Sequence, residues 1–199
     1  ISSTLQAIHA ADIAEILEEF DREEIKFIYN LLEEEKAADV LSELEEDLRE
    51  DLLSDLSAKE IAESIDNMDS DDAADVIQDL EEGRQAEVIS NLEDFEQATD
   101  IVSLLKYDED TAGGLMAKEF ISVNVDWTVS KGIAEMRTQA EEVNQVYTIY
   151  VVDSQKKLLG TLSLKSFLFA DDDTKIQDLF MEGARSVSAA ASGEEVASI

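Results

Sequence analysis

Proline and cysteine are missing from this chain of 199 residues, and histidine and tryptophan occur once each. Without cysteine there is neither a disulfide framework nor a thiolate metal site, which suits a reducing cytosol. The lone His9 has no metal-ligand partner at a useful spacing. No Gly-rich phosphate loop, nucleophile elbow or Cys–His pair occurs, so the chain reads as no enzyme. Carboxylate pairs occur everywhere, and none stands out as an acid–base dyad. Long apolar runs are missing too: no window approaches the roughly 18 uninterrupted apolar residues that a bilayer span requires. Residues 1–20 are amphipathic and acidic, without the basic start and apolar centre of a secretory leader. The lack of proline fits a mostly helical chain.

Basic residues are the next scarcity. Fifteen face forty-nine acidic ones, a net charge of −34. Such a surface repels nucleic acid and anionic lipid heads, and it attracts cations. The imbalance is local: residues 1–105 carry 33 acidic and 6 basic residues (−27), residues 106–199 carry 16 and 9 (−7). The plain reading is solubility, but self-repulsion on this scale opposes a compact state, and a cation among the carboxylates relieves it. With 44% apolar residues a core can form, and the length suits one to two domains.

The first half repeats. Ala14, Lys26, Ala38, Glu50, Ala62, Ala74, Ala86 and Ala98 stand twelve residues apart. Two, three and six residues after these marks lie mostly apolar side chains: Ile16, Leu17 and Phe20, Ile28, Tyr29 and Leu32, Val40, Leu41 and Leu44, and so on to Ile101 and Leu104. Such offsets share one helical face. A period of twelve leaves eight or nine helical residues and a tight turn, with Asp21, Ser57 (with Glu60 as a capping box) and Ser70 as expected N-caps. Helices this short need neighbours, which predicts a small superhelical stack.

The second half changes period. Residues 120–125 alternate as a strand, and Thr128 caps a helix over 129–138. Residues 146–152, including Tyr147 and Tyr150, are β-branched and aromatic. A turn at 153–157 leads to a strand over 158–162 in hairpin arrangement, and 164–170 reads as a helix. After the acidic break at 171–174, residues 176–181 and 186–188 begin a second copy, with its helix over 194–199.

The stretches IYVVD at 149–153 and LGTLS at 159–163, in this order of elements, resemble a CBS domain. The junction YDEDTAGGLM at 107–116 resembles the linker of MgtE-type magnesium transporters, and EKAADVL at 35–41 and DDAADVI at 71–77 resemble their N domain. The helical repeat alone is less specific, since flagellar motor switch proteins resemble the same N domain. The fold class is therefore multidomain: an all-α superhelical N domain of short helices (1–106), then an α/β CBS domain formed by the linker and first CBS unit (107–170), then an incomplete second CBS unit (171–199). The resemblance implies the Mg2+-sensing cytosolic region of a membrane magnesium transporter, on the cytoplasmic side of the cell membrane. It implies a homodimer through CBS domains and a transmembrane domain beyond residue 199. In that family Mg2+ bridges carboxylates of the N domain, CBS domains and a connecting helix, and the pore closes.

Mg2+ is a hard cation that keeps several waters and takes one or two carboxylates directly. Asp71 and Asp75 lie four residues apart, on one face of a helix, whereas Asp72 points about a hundred degrees away. Asp39 holds the same repeat offset as Asp75, three periods earlier. By resemblance Asp39, Asp71 and Asp75 match the N-domain ligands, Gly114 a backbone carbonyl facing the ion, and Glu194 an acidic ligand of the second CBS unit. Asp39 stands where the family pattern leads one to expect glutamate, and 190–193 reads AASG where further acids are frequent.

Other readings rank lower. Residues 108–119 partly fit a calcium loop, but Ala112 and Met116 occupy two ligand positions. CBS pairs bind adenine nucleotides, yet Ser166 stands in place of the ribose-binding acid, beside Lys165. An acidic scaffold gripping a basic protein leaves the CBS unit unexplained. Trp127 reads as a packing residue.

Overall fold

A computed structural model describes residues 2–140, 143, 146 and 148–199. Two compact units emerge, one running to Met116 and including Ala189–Gly193, the other comprising Ala117–Ser188 and Glu194–Ile199.

The first unit is helical: α1 (Ser2–Leu5), α2 (Ala10–Leu17), α3 (Arg22–Tyr29), α4 (Glu34–Glu43), α5 (Glu46–Asp55), α6 (Ala58–Ile65), α7 (Ser70–Gln78), α8 (Glu82–Ile89) and α9 (Phe95–Leu104). From α2 to α8 the starts are twelve residues apart, and each register mark falls within a helix. Packing runs mainly to the second helix along: α2 on α4, α4 on α6, α6 on α8, α3 on α5 and α7 on α9. One row therefore runs α2–α4–α6–α8, and α7 packs on α4 and α8 as well as on α9.

The core repeats with the sequence. Three residues after the marks, Leu17, Tyr29, Leu41, Leu53, Ile65, Ile77 and Ile101 are all buried. Each such burial is worth roughly 1.5–3 kcal/mol. A second core position, one residue before the marks, escapes the sequence template. Ile13, Ile25, Ala37, Ile61 and Ala73 are buried there, one turn from the first set. Arg49, Gln85 and Gln97 interrupt this series. Both glutamines point Nε2 at carbonyls left over at helix ends: Gln85 at Leu80 (2.8 Å), Gln97 at Ile65 and Met68 (3.0 Å each). Ile16 and Phe20, expected on the apolar face, are 49% and 41% exposed. Ile16 belongs to α2 and Phe20 to the turn after it, near the start of the stack, where neighbours cover fewer sides.

Asp21 caps α3 and Ser57 caps α6, each in a reciprocal capping box with Glu24 and Glu60. Ser70 is not a cap. The period places N-caps at positions 9, 21, 33, 45, 57, 69 and 81, so Asp69 takes that place and Ser70 is the buried first residue of α7.

The second unit contains β1 (Ile121–Asn124), α10 (Val129–Gln139), β2 (Ile149–Val152), β3 (Leu158–Leu162), α11 (Leu164–Leu168), a single 3-10 turn (Ile176–Asp178), β4 (Met181–Glu182) and α12 (Gly193–Ala197). The sheet order is β1-β2-β3-β4. β1 runs parallel to β2, with Ile121 opposite Ile149, and β3 is antiparallel to both β2 and β4. Thr128 caps α10. Ile121, Val123, Val129, Ile149, Val151, Leu162, Phe167 and Ile176 form the core. Trp127 packs against it, with the Lys131 ammonium 4.5 Å from its ring centroid. The hairpin turn is held by Asp153, whose Oδ1 accepts from the backbone of Gln155 and Lys157.

Several expectations shift. β2 is shorter than 146–152, and Tyr147 lies outside the described residues. α11 stops at Leu168 rather than 170. Ile176 is buried in this core and β4 extends the sheet beyond β3, so the stretch 176–181 packs on the CBS unit that precedes it. Residues 186–188 form no strand. A parallel strand is held by its ladder, as Ile121 is by Ile149, and no strand lies alongside 186–188 among the described residues.

Candidate metal centre

α7 carries the strongest group of carboxylates in the helical unit. Ser70, Ala73, Ala74, Val76 and Ile77 face the core. That burial turns Asp71, Asp72 and Asp75 outward, with Asp79 following as the C-cap. Asp71 and Asp72 sit in the first turn, where the helix dipole favours negative charge.

Their electrostatics show crowding. Burial by surrounding protein pushes the Asp72 carboxyl up to about 6, and the charges of Asp71, Asp69, Asp75 and Glu43 push the same way. Asp72 is nonetheless exposed to solvent, so water screens much of the burial cost, and the repulsion from Asp71, Asp69, Asp75 and Glu43 is the part that its surroundings carry. Asp75 is also raised, first by burial and then by Asp71, Glu109 and Asp79, while Arg49 opposes the shift. A dication would relieve this repulsion.

Gly114 lies in the linker that follows the helices. A Cβ at this position would stand 2.6 Å from the Asp108 carbonyl oxygen and 2.7 Å from Glu109 Cα. A Cβ at Gly113 would collide with the Tyr107 ring. The double glycine thus permits close packing. It folds the linker so that Glu109, whose charge acts on Asp75, backs directly onto Gly114. A strand, β1, follows this loop instead of the second helix of a calcium-binding hand.

The residues at 189–193 dock on the linker through their backbone. Ala112 and Gly113 donate to the carbonyls of Ala191 and Ala189, and Gly193 donates to that of Asp110, each at 2.8 Å. Small side chains fit this role, and it needs no acid.

Asp39 lies on α4, exposed, with its carboxylate 3.9 Å from Lys36 Nζ. The carboxylates acting most strongly on Asp75 are Asp71, Glu109 and Asp79, not Asp39. Glu194 is exposed in the first turn of α12, in the sheet unit. Asp71 and Asp75 thus share one face of α7, and Gly114 adjoins Glu109, whose charge reaches Asp75. Sequence reasoning missed Asp72, Glu43, Asp69, Glu109 and Arg49. Asp72 points away from the Asp71–Asp75 face of the helix, although four aspartates within 69–75 are themselves a signal. Glu43, Glu109 and Arg49 come from distant parts of the chain.

Among the described residues no group of three or more His, Asp or Glu side chains is drawn together tightly enough to cage a metal ion.

No described helix is long and apolar enough to cross a membrane. The profile of the MgtE intracellular N domain matches residues 8–110, and that of the CBS domain matches 112–173. The magnesium transporter MgtE of Enterococcus faecalis is 37% identical over 94 residues, covering 47% of this chain and 21% of the relative. The Thermus thermophilus magnesium transporter MgtE is 36% identical over 95 residues, with 48% and 21% covered. The chain thus spans about a fifth of the length of these relatives. The crystal structure of the cytosolic domain of the Mg2+ channel MgtE in complex with ATP superposes with a TM-score of 0.90 at 30% identity, over 99% of this chain and 80% of that one. The soluble part of a magnesium transporter gives 0.82 at 31%, over 98% and 76%. The helical repeat, the double-glycine linker and the small mixed sheet agree with these matches: the chain belongs to the MgtE family of magnesium transporters and carries its intracellular N domain followed by CBS sequence.

Proposed function

We propose that this chain is the cytosolic Mg2+-sensing region of a membrane magnesium transporter, and that Mg2+ bound at its acidic surfaces favours the closed pore. The observation that carries this reading is the crowding of Asp71, Asp72 and Asp75 on α7, with Asp72 pushed up to about 6 by burial and like charge. A protein that holds carboxylates in this state gains by taking up a dication. Asp71 and Asp75 are the proposed direct ligands, with Asp39 and the Gly114 carbonyl in support; Glu194, in the sheet unit, is proposed as a further acidic ligand in its own right. Mg2+ supplies charge neutralisation only, so the role is regulatory and no reaction is assigned. The ion shifts the pore only if it binds the closed arrangement better. The transmembrane domain, the homodimer through CBS domains and the place on the cytoplasmic side belong to the same proposal.

The test is thermal unfolding across a Mg2+ titration at constant ionic strength. Binding to the folded state alone stabilises by about 1.4 kcal/mol at ten times the dissociation constant. The wild type should gain stability saturably, and D71N/D75N should lose most of that gain. An equal response in both proteins removes these residues from the site.

A second reading, an adenine-nucleotide site in the CBS unit, is favoured by the ATP complex of the similar Mg2+ channel domain. Ser163 caps α11 and accepts from the Ser166 N–H. The helix start therefore offers hydroxyls and Lys165, suited to phosphate more than to ribose. Calorimetric titration with ATP, with and without K165A, tests it.

A further inference from the structure

The positive charges of the helical unit are few: six among residues 1–105. Arg49 pairs with the C-terminal end of α7. Its Nε donates to Asp79 Oδ2 at 2.5 Å, and both side chains are mostly buried, 15% and 11% exposed. Its Nη1 reaches the Ser42 carbonyl at 3.5 Å. Asp79 lies one turn beyond Asp75, which lies one turn beyond Asp71, so the three acids form a ridge along α7. Arg49 is fixed at the C-terminal end of this ridge, and its charge also reaches Asp75. Its position in the repeat is the one filled by Ile13, Ile25, Ala37, Ile61 and Ala73 in other helices. A hydrophobic residue would serve packing there, and a buried ion pair is a weak source of stability compared with one.

We propose that Arg49 is an internal counter-cation that sets how strongly the Asp71–Asp75–Asp79 ridge attracts a dication. By occupying Asp79 and lowering the field at Asp75, it holds the ridge to a weak site at its Asp71 end. Such a setting suits sensing of an abundant ion, because a site that is always full senses nothing. This role rests on the reading of the ridge as a Mg2+ site.

The experiment is calorimetric titration of the full 199-residue chain with MgCl2 at constant ionic strength, comparing wild type, R49Q and D79N. R49Q removes a positive charge and should lower the half-saturating Mg2+ concentration. The scale for one unit charge acting on a dication a helical turn or more away in water-like surroundings is about threefold to tenfold. D79N frees the guanidinium to lean on Asp75 and should raise the half-saturating concentration. A purely structural ion pair predicts that both variants weaken binding together, and that result overturns the proposal, as does an unchanged midpoint in both. If R49Q does not fold, R49M/D79N decides: with both charges of the pair gone its midpoint should fall below that of D79N alone, and a midpoint equal to or above that of D79N overturns the proposal. The reading of the ridge as a Mg2+ site fails separately, if the wild type shows no saturable heat.

Discussion

The two units of this chain are assembled by different rules. The helical unit is a periodic stack whose charge (−27 over residues 1–105) lies outside a repeated core. The sheet unit has a core of only a few side chains, set by pairings such as Ile121 with Ile149 that are distant in sequence. A periodic unit can load one face with carboxylates because each helix contributes its share to the core independently. α7 does this, packing Ala73, Ala74, Val76 and Ile77 inward and carrying Asp71, Asp72 and Asp75 outward. The sheet unit has no such redundancy.

The difference predicts where damage is worst. F167A removes a fully buried ring from the small sheet core and should cost about 3–5 kcal/mol. L41A, in the larger stack, should cost about 2–5 kcal/mol. Hydrogen exchange after each substitution checks the assignment. F167A should expose amides of the β-strands while α4–α7 stay protected, and L41A should do the converse. If either substitution opens both units alike, they do not behave as separate cores.

Acid separates the units in a second way. Burial and neighbouring carboxylates push the folded Asp72 carboxyl up to about 6, above an unfolded value of about 3.9. Between these values the folded state binds more protons. The stability that protonation contributes is therefore full below about pH 4 and lost as the pH rises through about 6. Allowing for solvent screening, the loss is about 1 kcal/mol. It should appear in urea unfolding of the helical unit, shrink in D72N and shrink in saturating Mg2+. A slope that D72N leaves intact locates the titration elsewhere.

Caps test the period itself. S57A removes one half of the box on α6 and should cost about 1 kcal/mol in urea unfolding. K59A breaks an exposed pair on the same helix, 2.7 Å from Glu63, and should change stability by no more than about 0.5 kcal/mol. A larger loss from K59A than from S57A would mean that charge, and not the repeat, holds α6.

Much of the helical unit was legible from its sequence, because both of its signals are local. The twelve-residue period located α2 to α9, and Asp21 and Ser57 announced their capping boxes. The second core position was hidden by Arg49, Gln85 and Gln97, which serve carbonyls and a carboxylate that sequence does not place nearby. Ser70 was mistaken for a cap because serine is a good capping residue, although the period points to Asp69. In the sheet unit the hairpin was readable from its turn, but the role of Ile176 and β4 was not, since both depend on contacts made across the fold. At the candidate site, Asp71 and Asp75 follow from helical spacing. Glu43 and Glu109 come from α4 and the linker, and tertiary packing alone brings them to α7.

The central claim is that the acidity of the helical unit is a cation sensor and not merely a solvated surface. Hydrogen exchange on the whole chain, with and without millimolar Mg2+ and with ionic strength balanced by sodium, tests it most directly. A cation sensor gives protection concentrated around residues 71–75 and 107–114. Uniform change, or none, would contradict it and return the charge to general solvation.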